Sequence, residues 1–455
     1  MNVEIAPSTI TPLYRVRPGA AVTITFKLDG QAVCASAYQL LSATPLGATV
    51  RVREDIYHLL TNNSLDVELT IGDQTLKLAD AVIEALGEED HAHLIYISWE
   101  NPPDKSRIQK DRPLRWPCDR QLAPLCVITN PYELYGQKCF KVENLSRVGL
   151  QLLTTQPPGL LIPGLRLPGV VQFPGLGPEP VTLELRWLRP NSSSAQQEFY
   201  LGARIIEAAP SYGASAGQYL FQHISGIAAA EVRSAGLLVP SVASGVTYEF
   251  AQSSEDYRDV LELRMKTYPW VQLSSQAIEP EEMGDIYDTR ANILIARHQG
   301  KCVGSLRIVF HRPGDMLEML EHVENAPVPD WFPQNEDLVE VTRICVDHNY
   351  RKGDLLLGMF KQVLLVMLQS NKWWLVGGSE EGLLPYYKAL GAKVTGLEYQ
   401  WARGGMTTAV SVLTINLADY LNQVDVSQAA WNLLAPDVIA FAQNHQIPIK
   451  PQPQP

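Results

Sequence analysis

The hydrophobic period of this 455-residue chain changes once along its length, and that change limits the available folds more than any other feature. Up to about residue 210, apolar and polar residues alternate in short runs. Examples are Val22-Thr-Ile-Thr-Phe26, Leu65-Asp-Val-Glu-Leu-Thr-Ile71, Leu94-Ile-Tyr-Ile-Ser98 and Val181-Thr-Leu-Glu-Leu-Arg-Trp187. A period of two turns one strand face to a core and the other to water. Turn signals such as Asp29-Gly30 and Gly72-Asp73 separate the runs, as in antiparallel sheets. From about residue 247 strands alternate with helical stretches, the mark of a mixed α/β layer. The expected architecture is two N-terminal antiparallel β-barrels followed by a mixed α/β domain.

Composition shifts divide the chain further. Residues 1–100 form the first β region. Residues 101–120, NPPDKSRIQKDRPLRWPCDR, are basic, rich in Pro and without periodicity, so they read as a linker. They open a second β module, 101–237, which ends in helical periodicity over 214–236 with Leu220, Ile224, Ile227 and Val232 near one stripe. Within it the Pro/Gly run 157–179 is expected to loop or to form edges, because Pro cannot donate to a ladder. The α/β domain covers 246–425, and a helix with a Pro-rich tail occupies 426–455.

Lys and Arg number 37 against 49 Asp and Glu, a net charge of −12, which argues against nucleic acid or an anionic membrane as general partner. The most apolar stretch, Leu355–Leu368, is interrupted by Lys361 and Gln362 and reads as a buried helix, not a membrane span. Six scattered cysteines without a Cys-x-x-Cys pair, and no signal-like N-terminus, point to a cytoplasmic protein. His91 and His93 follow Glu88, Glu89 and Asp90, but they read as a solvated turn and no metal is expected.

The second β module contains Lys141-Val-Glu-Asn-Leu-Ser-Arg-Val-Gly149 at a strand end, an Asn-x-Ser-x-x-Gly pattern. Its linker supplies Arg112, Arg115 and Arg120. Together with the strand-like Tyr200-Leu-Gly-Ala-Arg-Ile-Ile206, this resembles the PilZ domain, a receptor module for cyclic di-GMP. The resemblance implies nucleotide contacts from Arg112, Arg115, Arg120, Asn144, Ser146 and Gly149. The family's Arg-x-x-x-Arg spacing is absent: Arg112 and Arg115 are three apart, Arg115 and Arg120 five.

The C-terminal region carries the densest signal. In Val346-Asp-His-Asn-Tyr-Arg-Lys-Gly-Asp-Leu355 a strand passes into a helix, and Arg351, Lys352 and Gly353 stand where a helix N-terminus favours phosphate. Tyr387 follows in Leu384-Pro-Tyr-Tyr-Lys-Ala-Leu-Gly391, a phenol able to protonate a thiolate. The order strand, cradle, helix, strand, helix resembles the GNAT acyltransferase fold, in which two parallel strands splay around an acyl thioester. Ahead of it lie Arg264 and Trp270, Asp285 and Asp288, Arg307, then Glu340 and Arg343. This order resembles the autoinducer (acyl-homoserine-lactone) synthases and the related N-acyl amino acid synthases.

The resemblance implies an N-acyltransferase that joins a fatty acyl thioester, carried by acyl carrier protein or CoA, to an amino-acid-like amine. Glu340, Arg343 and Tyr387 are the expected catalytic residues. Arg264, Trp270, Asp285, Asp288 and Arg307 are expected around the acceptor, and Arg351, Lys352 and Gly353 at the donor. Cyclic di-GMP is the expected effector. Two alternatives stay open, a homoserine-lactone synthase using S-adenosylmethionine and a non-catalytic cyclic di-GMP-responsive interaction protein. For the charged set the bland reading is an ion-pair network in which Arg343 neutralises Asp288.

Overall fold

The computed structural model describes residues 113–449, apart from 134–135, 157–160, 192–197, 269–270, 272–277, 313, 316, 324–328, 331, 334–336 and 404–405; before residue 113 it describes the eight strands named next and Asp73. The chain divides into two compact units, Met1–Ile227 with Val232–Leu238, and Ala228–Glu231 with Val239–Pro455.

In the first unit, β1 (Val22–Leu28), β2 (Gln31–Ala35), β5 (Asp66–Ile71) and β6 (Gln74–Leu78) form a sheet in the order β2-β1-β5-β6. A second sheet, β3-β4-β8-β7, combines β3 (Gln39–Thr44), β4 (Gly47–Val52), β7 (Ala81–Glu89) and β8 (Ala92–Trp99). One barrel is expected here, and two four-stranded sheets are found. Hairpins join through β1–β5 in one and β4–β8 in the other, which leaves β2, β6, β3 and β7 as edges among the described residues.

The second module of this unit is a closed antiparallel barrel. Strands β10 (Leu125–Thr129), β13 (Arg166–Gln172), β14 (Pro178–Pro190), β15 (Phe199–Ala208), β12 (Gly149–Thr154) and β11 (Gln137–Ser146) follow in that order, and β10 pairs β11 to close the ring. A short strand β9 (Trp116–Pro117) adds to the end of β11. Alternation along β13 buries Leu167, Gly169 and Val171, and along β14 it buries Val181, Leu183 and Leu185.

The Pro/Gly run contributes more than loops and edges: β13 is paired on both sides. Pro168 opposes Thr182 of β14, but the pairing with β10 stops one residue short of it, at Gly169 with Ile128. The missing N–H therefore falls beyond the end of the β10 ladder. The helical stretch is also interrupted. Helix α1 (Tyr212–His223) ends at Ile224, whose backbone is extended (φ −102°, ψ 120°), and after Gly226, with φ 79°, α2 (Ala229–Ser234) begins anew.

In the second unit one seven-stranded sheet runs β16-β17-β18-β19-β20-β22-β21. Its strands are β16 (Thr247–Phe250), β17 (Asn292–His298), β18 (Lys301–Phe310), β19 (Leu338–Val346), β20 (Trp374–Glu380), β21 (Lys393–Arg403) and β22 (Met406–Asn416). Only β19 and β20 are parallel, joined by the crossover helix α5 (Leu355–Gln369). Helix α3 (Ser254–Thr267) starts with a capping box, Ser253 with Asp256, and presents buried Arg264 in its last turn. The remaining helices among the described residues are α4 (Glu318–His322), α6 (Leu384–Ala389), α7 (Leu417–Leu421) and α8 (Gln428–Asn444). No described helix is long and apolar enough to cross a membrane.

Close backbone approach holds α1 in place. A Cβ on Gly217 would sit 1.9 Å from the Leu238 carbonyl oxygen, and the Leu238 N–H donates to Gly213 O at 3.1 Å. Gly217→Ala should therefore destabilise the first unit by about 1–3 kcal/mol in denaturant unfolding.

Candidate active site

Strand β19 organises the site. Its residues Leu338–Val341 pair in parallel with Trp374–Gly377 of β20. Past that point the two strands have no mutual pairing, although β19 continues to Val346 and β20 to Glu380. The parallel pair thus opens at its carboxyl end, the end of a strand where α/β sheets place ligands.

A bulge lies on the other side of β19. Cys345 pairs Ser305 and Thr342 pairs Arg307, so Arg343 and Ile344 together oppose Leu306. Arg343 has φ 52°, in the left-handed region that few non-glycine residues occupy. Residues three apart on a regular strand point to opposite faces. The extra residue reverses that parity, so Glu340 and Arg343 both reach Glu318.

Three arginines meet three carboxylates here. Arg264 grips Asp288 with both terminal nitrogens, at 2.6 and 2.9 Å, and also donates to Met283 O at 3.2 Å. Arg307 donates to Asp285 at 2.5 Å, Asp288 at 3.2 Å and Thr342 Oγ1 at 2.9 Å, and to the Glu318 carboxylate. Arg343 donates to Asp285 at 2.6 Å and to Glu318 at 2.8 Å. Arg343 therefore pairs with Asp285 and Glu318, while Asp288 is held by Arg264 and Arg307. Asp285 and Asp288 cap their own turn reciprocally: Asp285 accepts from the Asp288 N–H at 3.3 Å, and Asp288 from the Asp285 N–H at 3.3 Å.

The patch is largely dry. The side chains of Arg264 and Arg307 are 1% and 0% exposed, whereas Asp285 and Arg343 keep 17% and 11%. Solvent reaches the cluster from the Asp285 and Arg343 side. Burial alone would raise the Asp288 carboxyl, but Arg264 and Arg307 outweigh it and hold the group down at about 2. Tyr257 donates to Asp288 at 2.9 Å, and burial pushes its phenol up to about 12.

Glu340 behaves in the opposite way. It is fully buried, and burial, reinforced by the charge of Glu318, raises its carboxyl to about 7. The N–H groups of Met319 and Glu318 donate to it at 2.8 and 3.2 Å and moderate that rise. A carboxyl titrating near neutrality is suited to take a proton and to release it.

At the start of α5, Arg351, Lys352 and Gly353 are exposed, Lys352 with φ 61°. Arg351 Nε donates to Val346 O at 3.1 Å, which lays its stem back along β19. Asp354 next to them accepts from the N–H groups of Val242 and Ala243 at 2.7 and 2.9 Å and anchors that segment to the helix start. Tyr387 lies on α6, half-buried, with its phenol raised by burial and its ring edge-on to Tyr386 at 5.7 Å. Trp270 and Arg112 lie outside the described residues.

In the barrel, β9 brings Arg115 Nη1 to 3.3 Å from Asn144 Oδ1. Ser146 Oγ donates to Gly149 O at 3.3 Å, and a Cβ on Gly149 would lie 3.1 Å from an Arg115 nitrogen. Arg120 is exposed beyond β9. Among the described residues no group of three or more His, Cys, Asp or Glu is arranged to hold a metal ion.

Two contributors escape sequence reasoning. Glu318 sits in an acidic stretch without periodicity, and Thr342 is a small polar residue on a strand; only the folded sheet places them against Arg307. Removing Arg307 would strand its carboxylate partners in a dry patch. Arg307→Met should lower the unfolding free energy by about 3–5 kcal/mol in denaturant titration. Glu340 gives a pH signature. Between the ordinary carboxyl range and pH 7 the native state holds a proton that the unfolded chain has released. Its stabilising contribution is therefore full at acid pH and lost as pH rises through about 7. Glu340→Gln should flatten this segment of the stability curve, measured by thermal unfolding between pH 5 and pH 8.

Residues 259–406 match the family model described as N-acyl amino acid synthase FeeM. Among solved structures the chain is similar to FeeM, an N-acyl amino acid synthase from uncultured soil microbes (14% identity, 41% of this chain and 96% of that one, TM-score 0.32). It is similar to BjaI, a CoA-dependent acyl-homoserine lactone synthase, solved with SAM and isopentyl-CoA (19%, 42% and 88%, TM-score 0.31). It is also similar to an N-acetyltransferase from Staphylococcus aureus Mu50 (14%, 38% and 98%, TM-score 0.28). No curated protein matches the chain. With the matched segment spanning α3 to the start of β22, the C-terminal unit is an acyltransferase.

Proposed function

We propose that this acyltransferase joins a fatty acyl group, delivered as a thioester on CoA or an acyl carrier protein, to the amine of an amino-acid-like acceptor. The observation that carries the reading is Glu340, buried and titrating near 7 beside the opening between β19 and β20. An ammonium cannot attack a carbonyl until it loses a proton. Glu340 takes that proton, directly or through a water, and the freed nitrogen attacks the thioester carbon. Main-chain N–H groups of β19 past Glu340 stabilise the charge that develops on the carbonyl oxygen.

The C–N bond forms as the C–S bond breaks; Tyr387 supplies a proton to the departing thiolate, and the second proton shed by the nitrogen as the amide forms restores the phenol. Arg351, Lys352 and Gly353 receive the phosphate of the donor arm. Of the three cluster arginines Arg343 is the most open, and it takes the acceptor carboxylate. Arg264 and Arg307, paired with Asp288, Asp285 and Glu318, keep the acceptor wall in place.

Glu340→Gln preserves the shape and one acceptor oxygen, so the variant folds. Its acyl transfer should fall about 10²–10⁴-fold. Wild-type kcat/KM should rise with pH and level off above about 7, as expected for a base with that carboxyl. Unchanged activity in Glu340→Gln would remove Glu340 from the reaction.

The same proposal extends to control by cyclic di-GMP on the barrel. It is supported by the gathering of Arg115, Asn144, Ser146 and Gly149 at one strand end. Titration calorimetry of the full chain with cyclic di-GMP should give saturable heat that is lost in Arg115→Ala. No heat at high nucleotide excess would leave the barrel without this role.

A further inference from the structure

Glu318 links Glu340 to two of the three arginines of the cluster. Its main-chain N–H donates to Glu340 at 3.2 Å, and the next N–H, of Met319, donates to the other Glu340 oxygen at 2.8 Å. One carboxylate oxygen accepts from Arg343 at 2.8 Å, and the other accepts from Arg307. The side chain is 8% exposed, so these contacts are not shared freely with water. Neither the ordering of α4, a helix of only five residues, nor its packing through Leu317 and Met319 requires an acid at this position.

Charge balance gives the acid a purpose. Arg264, Arg307 and Arg343 are matched by Asp285, Asp288 and Glu318, and Glu340 comes fourth. We propose that Glu318 is a positioning residue for the acyl transfer: its carboxylate sets the direction of Arg343 toward the acceptor, and its negative charge strengthens the hold of the Glu340 carboxylate on the proton it takes from the amine. This rests on the reading of the chain as an amine acyltransferase with Glu340 as base.

The groups facing Glu340 support it. Glu318 on α4 and Arg307 on β18 act directly, in opposite senses. Tyr287 and Tyr399, from the turn before β17 and from β21, lie within electrostatic reach. His322, stacked on Tyr399 at 5.2 Å and 3.9 Å from Glu318, is a further titratable group beside them. Of these, Glu318 is the acid whose removal leaves the guanidiniums in excess. The effect on Glu340 then has a definite sign: ionisation becomes easier.

The test uses the full chain as wild type, E318Q, E318D and E340Q, with two readouts. One is the pH profile of acyl transfer from an acyl-CoA to free amino acids. The other is the pH dependence of thermal unfolding, with the E340Q curve subtracted to isolate Glu340. In E318Q the activity midpoint should move to lower pH by about one unit, with a several-fold higher acceptor KM. E318D keeps the charge on a shorter stem, so its midpoint should stay while the acceptor KM still rises. An unmoved midpoint in E318Q, or a midpoint that moves equally in E318D, overturns the proposal. If the wild type transfers no acyl group, the catalytic reading fails on its own. The unfolding curves then decide the Glu318 effect separately: an acid shift of the Glu340 step in E318Q sustains the coupling, and an identical step overturns it.

Discussion

The guanidiniums of Arg264, Arg307 and Arg343 meet the carboxylates of Asp285, Asp288 and Glu318 where little water reaches. Taking any one of these ions out of water alone would cost several kcal/mol, and only the mutual pairing offsets it. The pairing draws on α3, the turn before β17, strands β18 and β19, and α4. Each of these elements is therefore tied to the others by a charge it cannot expose or neutralise cheaply. Glu340 is the member without an arginine of its own, and that is why it titrates near neutrality while Asp288 stays fully ionised.

The bulge at Arg343 makes the cluster possible. Without it, Arg343 would face away from Glu340 and Thr342, and β19 would carry the base on one side and the cation on the other. The left-handed backbone at Arg343 has an energetic cost, which the two carboxylates on its side chain offset. β19 leaves β20 after Val341, just ahead of the bulge, so the same strand that bends for charge pairing also opens toward a thioester. The fold thus links the electrostatics of the base to the geometry of the opening through one residue.

Much of this is legible in the residues. Arg264, Asp285, Asp288, Arg307, Glu340 and Arg343, all singled out from the sequence, converge from four separate stretches. Charged side chains in otherwise apolar strands advertise themselves, because burial demands partners. Glu318 carries no such flag, since its stretch is acidic throughout and has no period. The bulge is equally silent, because a positive φ at an arginine leaves no trace in composition. The barrel shows the same limit. Pro168 argues against a central strand until the end of β10 is seen to fall just short of it. The separation of the N-terminal strands into two sheets depends on which hairpins meet, which alternation alone does not specify.

The central claim is that this chain acylates an amine with Glu340 as its base. Product mass spectrometry after mixing the purified chain with a long-chain acyl-CoA and a set of amino acids tests it most directly. An N-acyl amino acid formed by the wild type and not by Glu340→Gln is the predicted result. No acylated amine under any donor, or equal product from Glu340→Gln, would contradict it.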